Sequence, residues 1–239
     1  MSKFPRAAKY DQEWLKANMM GPNAVYLLEH LSEHMDLHEG MRVLDLGCGM
    51  GITSVFLARE FGVSVFATDL WIPATENFKR FTEAGVSDRV YPIYSEAHEL
   101  PYADDFFDAV ISIDAYHYFG TEKDYLDRHC ARLLKPGGQI GIVVPGLTKE
   151  LNPGEIPRGL ENYWEDDFNT FHSEDWWKNL WDSSSIIRIG HYESMADGKK
   201  IWYESIWQQN EYGSDYDRKM LESDETDSLT MIMLIGKRI

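Results

Sequence analysis

Apolar positions change period several times along the chain, and each change marks an element. Val25, Leu27, Leu28, Leu31 and Met35 recur at helical spacing behind Gly21-Pro22-Asn23, which predicts a helix with Asn23 as its N-cap. Arg42 to Leu46 is then a short apolar strand, followed by a glycine cluster and a helical stretch, Ile52 to Phe61. The alternation continues with strand Ser64 to Asp69, helix Pro73 to Ala84, strand Val90 to Tyr94 and buried strand Phe107 to Ile113. Thr121 to Leu134 predicts a helix, Lys135-Pro-Gly-Gly138 its stop, and Gln139 to Val144 the next strand.

From Pro145 to Phe171 the pattern gives way to Gly, Pro, Asn and acidic residues, the signature of an insertion or lid. Ser173 then caps a helix, Glu174 to Trp181. Ile186 to Tyr192 reads as strand, Asp197 to about Glu222 as a long helix, and Leu229 to Gly236 as a final strand. Strands alternating with helices predict an α/β fold: a doubly wound, Rossmann-like, mostly parallel sheet with helices on both faces. No composition break divides the chain, so residues 1–239 are expected to form one domain. Residues 1–40 would be a helical lead-in and lid, and 145–182 a second lid on the substrate side.

Charge narrows the partners. Forty acidic against 23 basic residues give a formal charge of −17. Such a surface repels phosphate backbones and anionic headgroups, so neither nucleic acid nor stable membrane association is expected. Two cysteines, Cys48 and Cys130, are too few for a disulfide scaffold. Met1 to Asn18 has no uninterrupted apolar core, and no apolar run approaches the roughly 20 residues of a membrane span. A cytoplasmic monomer or homodimer is the expectation.

The chemistry centres on Asp45-Leu-Gly47-Cys-Gly49-Met-Gly51, which leaves a strand and opens a helix. Glycines there let the backbone approach a ligand closely, while the helix start presents free N–H groups. The spacing is G-x-G-x-G, not the G-x-G-x-x-G of dinucleotide folds, which disfavours a dehydrogenase. Asp69 ends the next strand, where a carboxylate can accept hydrogen bonds from a ribose diol. Its bland alternative is a strand-end turn residue.

With Ser95-Glu96-Ala97 after the third strand and Leu-Leu-Lys-Pro-Gly-Gly at 133–138, these motifs resemble class I S-adenosylmethionine-dependent methyltransferases over residues 40–145. The layout looks like the small-molecule branch near cyclopropane-fatty-acid-synthase-like enzymes. The resemblance implies a seven-stranded sheet with an antiparallel last strand. It implies that Gly47, Gly49 and Gly51 pass under the methionine part of S-adenosyl-L-methionine, with Asp45 near its amino group or anchoring the loop. Asp69 would hold the ribose, Leu70 and Trp71 would flank the adenine, and Glu96 and Ala97 would sit at its edge. Glu96 stands where many relatives carry Asp. Asp114 would lie beside the transferable methyl.

In-line methyl transfer needs alignment of the acceptor, exclusion of water and sometimes removal of a proton. His117, in the loop after the fourth strand, is a candidate general base; its alternative is packing in that loop. The tryptophans Trp164, Trp176, Trp177 and Trp181 lie in or after the second lid, where they either wall an acceptor pocket or pack as core. Trp202 and Trp207 read as structural. No metal-ligand set stands out. The expected reaction is methylation of N, O or S on a small molecule. The alternatives are a C- or O-methyltransferase of a lipid-like or quinone acceptor, or a cofactor-binding module without turnover.

Overall fold

A computed structural model describes residues 3–205, 212 and 215–239. The elements in chain order are α1 (Gln12–Asn18), α2 (Ala24–Ser32), β1 (Arg42–Leu46), α3 (Ile52–Phe61), β2 (Ser64–Asp69), α4 (Ala74–Glu83) and β3 (Val90–Tyr94). They continue with β4 (Phe107–Ile113), β5 (Leu134–Leu147), α5 (Glu174–Asp182), β6 (Ile187–Ser194), α6 (Gly198–Ser205), α7 (Tyr216–Ser223) and β7 (Leu229–Arg238).

The seven strands form one sheet in the order β3-β2-β1-β4-β5-β7-β6. Six run in the same direction, and β7 lies antiparallel to its neighbours β5 and β6. Strand order reverses between β1 and β4, so the crevice of the fold opens at their carboxyl ends, beside Leu46 and Ile113.

Strand alternation divides the core between the two faces. Val43, Ile111 and Val143 pack with α2 and α3, while Leu44, Val110 and Ile142 pack with Tyr116, Trp177 and Trp181. Trp177 and Trp181 are fully buried on α5 against the sheet. They belong to the core, and so does Trp202, which donates its indole N–H to Asp217. Trp207 lies outside the described residues.

The caps predicted for α2 and α5 are present: Asn23 accepts from the Val25 and Tyr26 amides, and Ser173 from the Trp176 amide. The N-terminal lead-in is fastened by buried Glu29, whose carboxylate accepts from the Arg6 amide at 2.9 Å and the Ala7 amide at 2.7 Å. Arg80 of α4 donates to the Asn18 side chain at 3.1 Å. These ties hold the segment between α1 and α2 over the sheet's carboxyl edge.

Three elements differ from the sequence expectation. Of the helix expected over Thr121 to Leu134, only a π-type turn at Leu126–Cys130 and a 3-10 turn at Ala131–Leu133 are helical. The two turns together bring Leu126, Cys130 and Ala131 into the core. Lys135-Pro-Gly-Gly138 lies inside β5, which pairs with β4 from Leu134 onward through a register shift. The long helix expected over 197–222 contains α6 and α7, with residues 206–211 and 213–214 outside the described set. Among the described residues, no helix is long and apolar enough to cross a membrane.

Candidate functional site

The site grows from the β1–α3 turn. Gly47, Gly49 and Gly51 take φ of +75°, +52° and +80°. At Gly47 a side chain is barred twice over, by the left-handed backbone and by Ala115, whose Cβ occupies the space a Gly47 Cβ would need. Above Gly49 sits the Met20 sulfur, 2.8 Å from where a Cβ would stand. The loop is therefore a narrow floor roofed by the α1–α2 segment.

Asp45 is buried behind that floor. Its Oδ2 accepts from the hydroxyls of Thr53 at 2.7 Å and Ser54 at 2.6 Å, both in the first turn of α3. Its Oδ1 has no hydrogen-bond partner among the described residues. Burial pushes its pKa up to about 6, opposed by the Ser54 and Thr53 hydroxyls. Of the two roles considered for Asp45, this geometry is that of the loop anchor.

Asp69, at the end of β2, faces the loop. Its Oδ2 accepts from the Gly49 amide at 2.8 Å, and its Oδ1 from the Trp71 and Ile72 amides at 2.7 and 2.9 Å. Three of roughly four acceptor sites on the carboxylate are filled by backbone, leaving capacity for about one more hydrogen bond.

These residues bound a cavity of about 330 Å³, within the size range of small-molecule sites. Its lining includes Gly47, Gly49, Asp69, Leu70, Trp71, Glu96, Ala97 and Asp114, drawn from four segments of the sequence. Neither Asp45 nor Gly51 faces it directly. Trp71 is 60% exposed at the mouth, its ring set edge-on to Tyr118 with centroids 5.5 Å apart.

Glu96 is paired locally. Its carboxylate accepts from the His98 ring at 2.7 Å and the His98 amide at 2.8 Å. Partial burial raises the Glu96 pKa, but the His98 hydrogen bonds outweigh it and the net direction is down. His98 is raised in turn by its bond to Glu96.

Asp114 follows β4 with φ +56° and donates its amide to the Val143 carbonyl at 2.7 Å. Gly21 approaches so closely that a Cβ there would collide with the Asp114 carboxylate. Burial, reinforced by the Asp217 charge, pushes the Asp114 pKa well above the usual carboxylate range.

His117 is placed otherwise than a general base requires. The residues after Asp114 wind into a 3-10 turn, Tyr116–Tyr118, which directs His117 inward against Phe171 with ring centroids 5.6 Å apart. It is 2% exposed, does not line the cavity, and its Nδ1 has no hydrogen-bond partner among the described residues. Burial lowers its pKa to about 3.

No residue of 145–182 lines the cavity. Trp176 stacks on His172 and Trp164 packs edge-on to Phe168, both away from it. The roof is instead Asn18, Met20, Gly21, Pro22 and Ala24 of the lead-in. The sequence places a lid in residues 1–40 and acceptor-side candidates in the loop that holds Tyr118 and Phe119, without singling out the roof residues, and it misses His98. The roof carries no motif, whereas His98 follows Glu96-Ala97 directly and was within reach.

A doubly wound sheet with this strand order and a glycine loop at its switch point is the fold of class I S-adenosylmethionine-dependent methyltransferases, which this chain resembles. Residues 43–138 match the methyltransferase domain family. Among curated proteins, methyltransferase GfsG of Streptomyces halstedii is 36% identical over 117 residues, 48% of this chain and 42% of that protein. The 27-O-demethylrifamycin SV methyltransferase of Amycolatopsis mediterranei is 33% identical over 117 residues, 48% of this chain and 43% of its own. The chain thus spans less than half the length of these relatives. In the structure of geranyl diphosphate C-methyltransferase from Streptomyces coelicolor, with Mg2+, geranyl diphosphate and S-adenosyl-L-homocysteine, the fold recurs with a TM-score of 0.72. The identity there is 18%, over 89% of this chain and 78% of that one.

Proposed function

We propose that this chain binds S-adenosyl-L-methionine in the glycine-floored cavity and methylates N, O or S of a small-molecule acceptor. The acidic lining carries the reading. Asp69, Glu96 and Asp114 face the cavity, and no Lys or Arg does among the described residues. Such a site attracts a sulfonium and an ammonium group and repels the pyrophosphate of a dinucleotide. The unfilled acceptor capacity of Asp69, which lines the cavity, leaves room for a ligand donor.

When bound, the cofactor supplies an electrophilic methyl group. The chain's own residues orient and enclose. Gly47 and Gly49 bring backbone close to the amino-acid part, and Asp45 braces their loop through Thr53 and Ser54. Gly51 starts α3 behind them. Asp69 positions the ribose while clamping Gly49. Leu70 and Trp71 cover the base, with Glu96 and Ala97 at its edge and His98 holding the Glu96 carboxylate in place. Asp114 stands at the acceptor end, and the Met20–Pro22 roof excludes water there.

Burial favours the neutral form of the Asp114 carboxyl, and a cation bound beside it would shift the balance back towards the carboxylate. Where an acceptor must lose a proton, this reading gives the task to Asp114 rather than to His117. The apolar lining of Met20, Pro22, Ala24 and Phe119 favours, as a second reading, an acceptor with a lipid-like or quinone body.

Isothermal titration with S-adenosylhomocysteine, with NAD+ as control, tests the cofactor. Micromolar binding of the first alone is expected, and binding of NAD+ alone would overturn the reading. Mass spectrometry of an acceptor panel with methyl-labelled cofactor then tests turnover. Tight binding with no labelled product in any acceptor class would leave a binding module.

A further inference from the structure

Away from the cavity, four metal-ligating side chains converge from two elements. Helix α2 and the turn after it place His30 and His34 four residues apart, on one side of the helix. Strand β6 places His191 and Glu193 two residues apart, on one face of the sheet's edge strand. The two periodicities bring both pairs to the same spot. His30 Nε2 lies 2.6 Å from Glu193 Oε1, and the His34 and His191 rings stack with centroids 4.1 Å apart.

We propose that His30, His34 and Glu193 bind a divalent transition-metal ion of the Zn2+ type, which staples α2 to β6. Their ligand atoms already lie within 4.8 Å of one another. Zn–N bonds of about 2.0–2.1 Å in a tetrahedral site place ligands roughly 3.3 Å apart, a contraction that side-chain rotation supplies. Two imidazoles and one carboxylate suit Zn2+ rather than Mg2+ or Ca2+, which prefer all-oxygen sites.

The surroundings are those of a metal site in other respects. His30 Nδ1 lies 3.7 Å from Glu33 Oε2, so a carboxylate stands behind the nitrogen opposite the ligating one. His191 Nε2 is buried without a hydrogen-bond partner among the described residues, 3.7 Å from Glu193 Oε2. A ring rotation would make it the fourth ligand; otherwise water completes the shell. Without the ion, the hydrogen bond between His30 Nε2 and Glu193 Oε1 holds the same contact. The staple bears on the cavity by position alone, since α2 begins at the roof residue Ala24.

The test is titration of the tag-free full chain with ZnCl2, followed by calorimetry and by thermal unfolding. One ion per chain with micromolar or tighter affinity is expected, with Tm raised by roughly 5 °C at a hundredfold excess over Kd. His34→Ala removes an exposed ring and should leave the fold intact while weakening binding at least tenfold. Glu193→Gln, which keeps the side chain's shape, should weaken it comparably. MgCl2 should neither bind nor raise Tm. Absence of zinc binding in the parent chain would overturn the proposal. So would undiminished affinity in both folded variants, because the ion would then sit elsewhere.

Discussion

The Asp69 carboxylate accepts a hydrogen bond from the Gly49 amide at 2.8 Å, joining the end of β2 to the glycine loop after β1. One side chain thereby sets the position of two cavity-lining segments that are twenty residues apart. With its other oxygen it also fixes the Trp71 and Ile72 amides, and so the entry into α4.

Asp69→Ala should therefore do more than remove a ribose contact. It frees three backbone donors at once, so affinity for S-adenosylhomocysteine should fall more than tenfold, charge-assisted bonds being worth about 1.5–3 kcal/mol each. Calorimetry on the folded variant measures this. Unchanged affinity would show that Asp69 serves only the turn.

Asp45→Ala should cost about 2–3 kcal/mol of stability in urea unfolding, because it strands the Thr53 and Ser54 hydroxyls inside the protein. Asp45→Asn retains an acceptor for them and should lose less. Equal losses in the two variants would mean that the carboxylate's charge, not its hydrogen bonding, holds the loop.

His117 should remain neutral to about pH 4 in a proton NMR titration of the imidazole signals. A pKa near 6.5 would show it open to solvent and restore it as a candidate base. The sign of the stability effect follows from the lowered value. The unfolded chain protonates this imidazole below about pH 6.5 while the native chain does not until about pH 3, so His117 contributes a loss of stability as pH falls through that window. His117→Phe should flatten this part of the acid unfolding curve.

The His98 imidazole should titrate above 6.5, because Glu96 favours its charged form. Below the unfolded value the pair contributes its full stabilisation, and this is lost as pH rises through the raised native value. Glu96→Gln should bring the His98 pKa down; an unmoved value would show the contact to be absent in solution.

Much of the fold was legible because it depends on local signals. Apolar runs at period two and helical spacing placed β1 to β4 and α2 to α4, and Asn23 and Ser173 capped helices where their side chains said they would. Pairing could not be read so directly at Lys135–Gly138. Those residues carry turn chemistry, with Gly137 at φ +79°, yet Leu134 and Gln139 on either side both pair with β4, so the four residues become a bulge within one strand.

The sequence by itself determined the glycine loop, its anchor Asp45 and the carboxylate Asp69, because backbone conformation and strand-end position follow from residues close in the chain. Only the tertiary structure decided what faces the cavity. A single 3-10 turn directs His117 into the core and leaves Asp114 at the cavity wall. Burial of Trp177 and Trp181 withdraws α5 from the site, and Glu29 and Arg80 fix the lead-in as its roof. These outcomes depend on which surfaces exclude water together. That is a property of contacts between segments distant in sequence, and no local pattern encodes it.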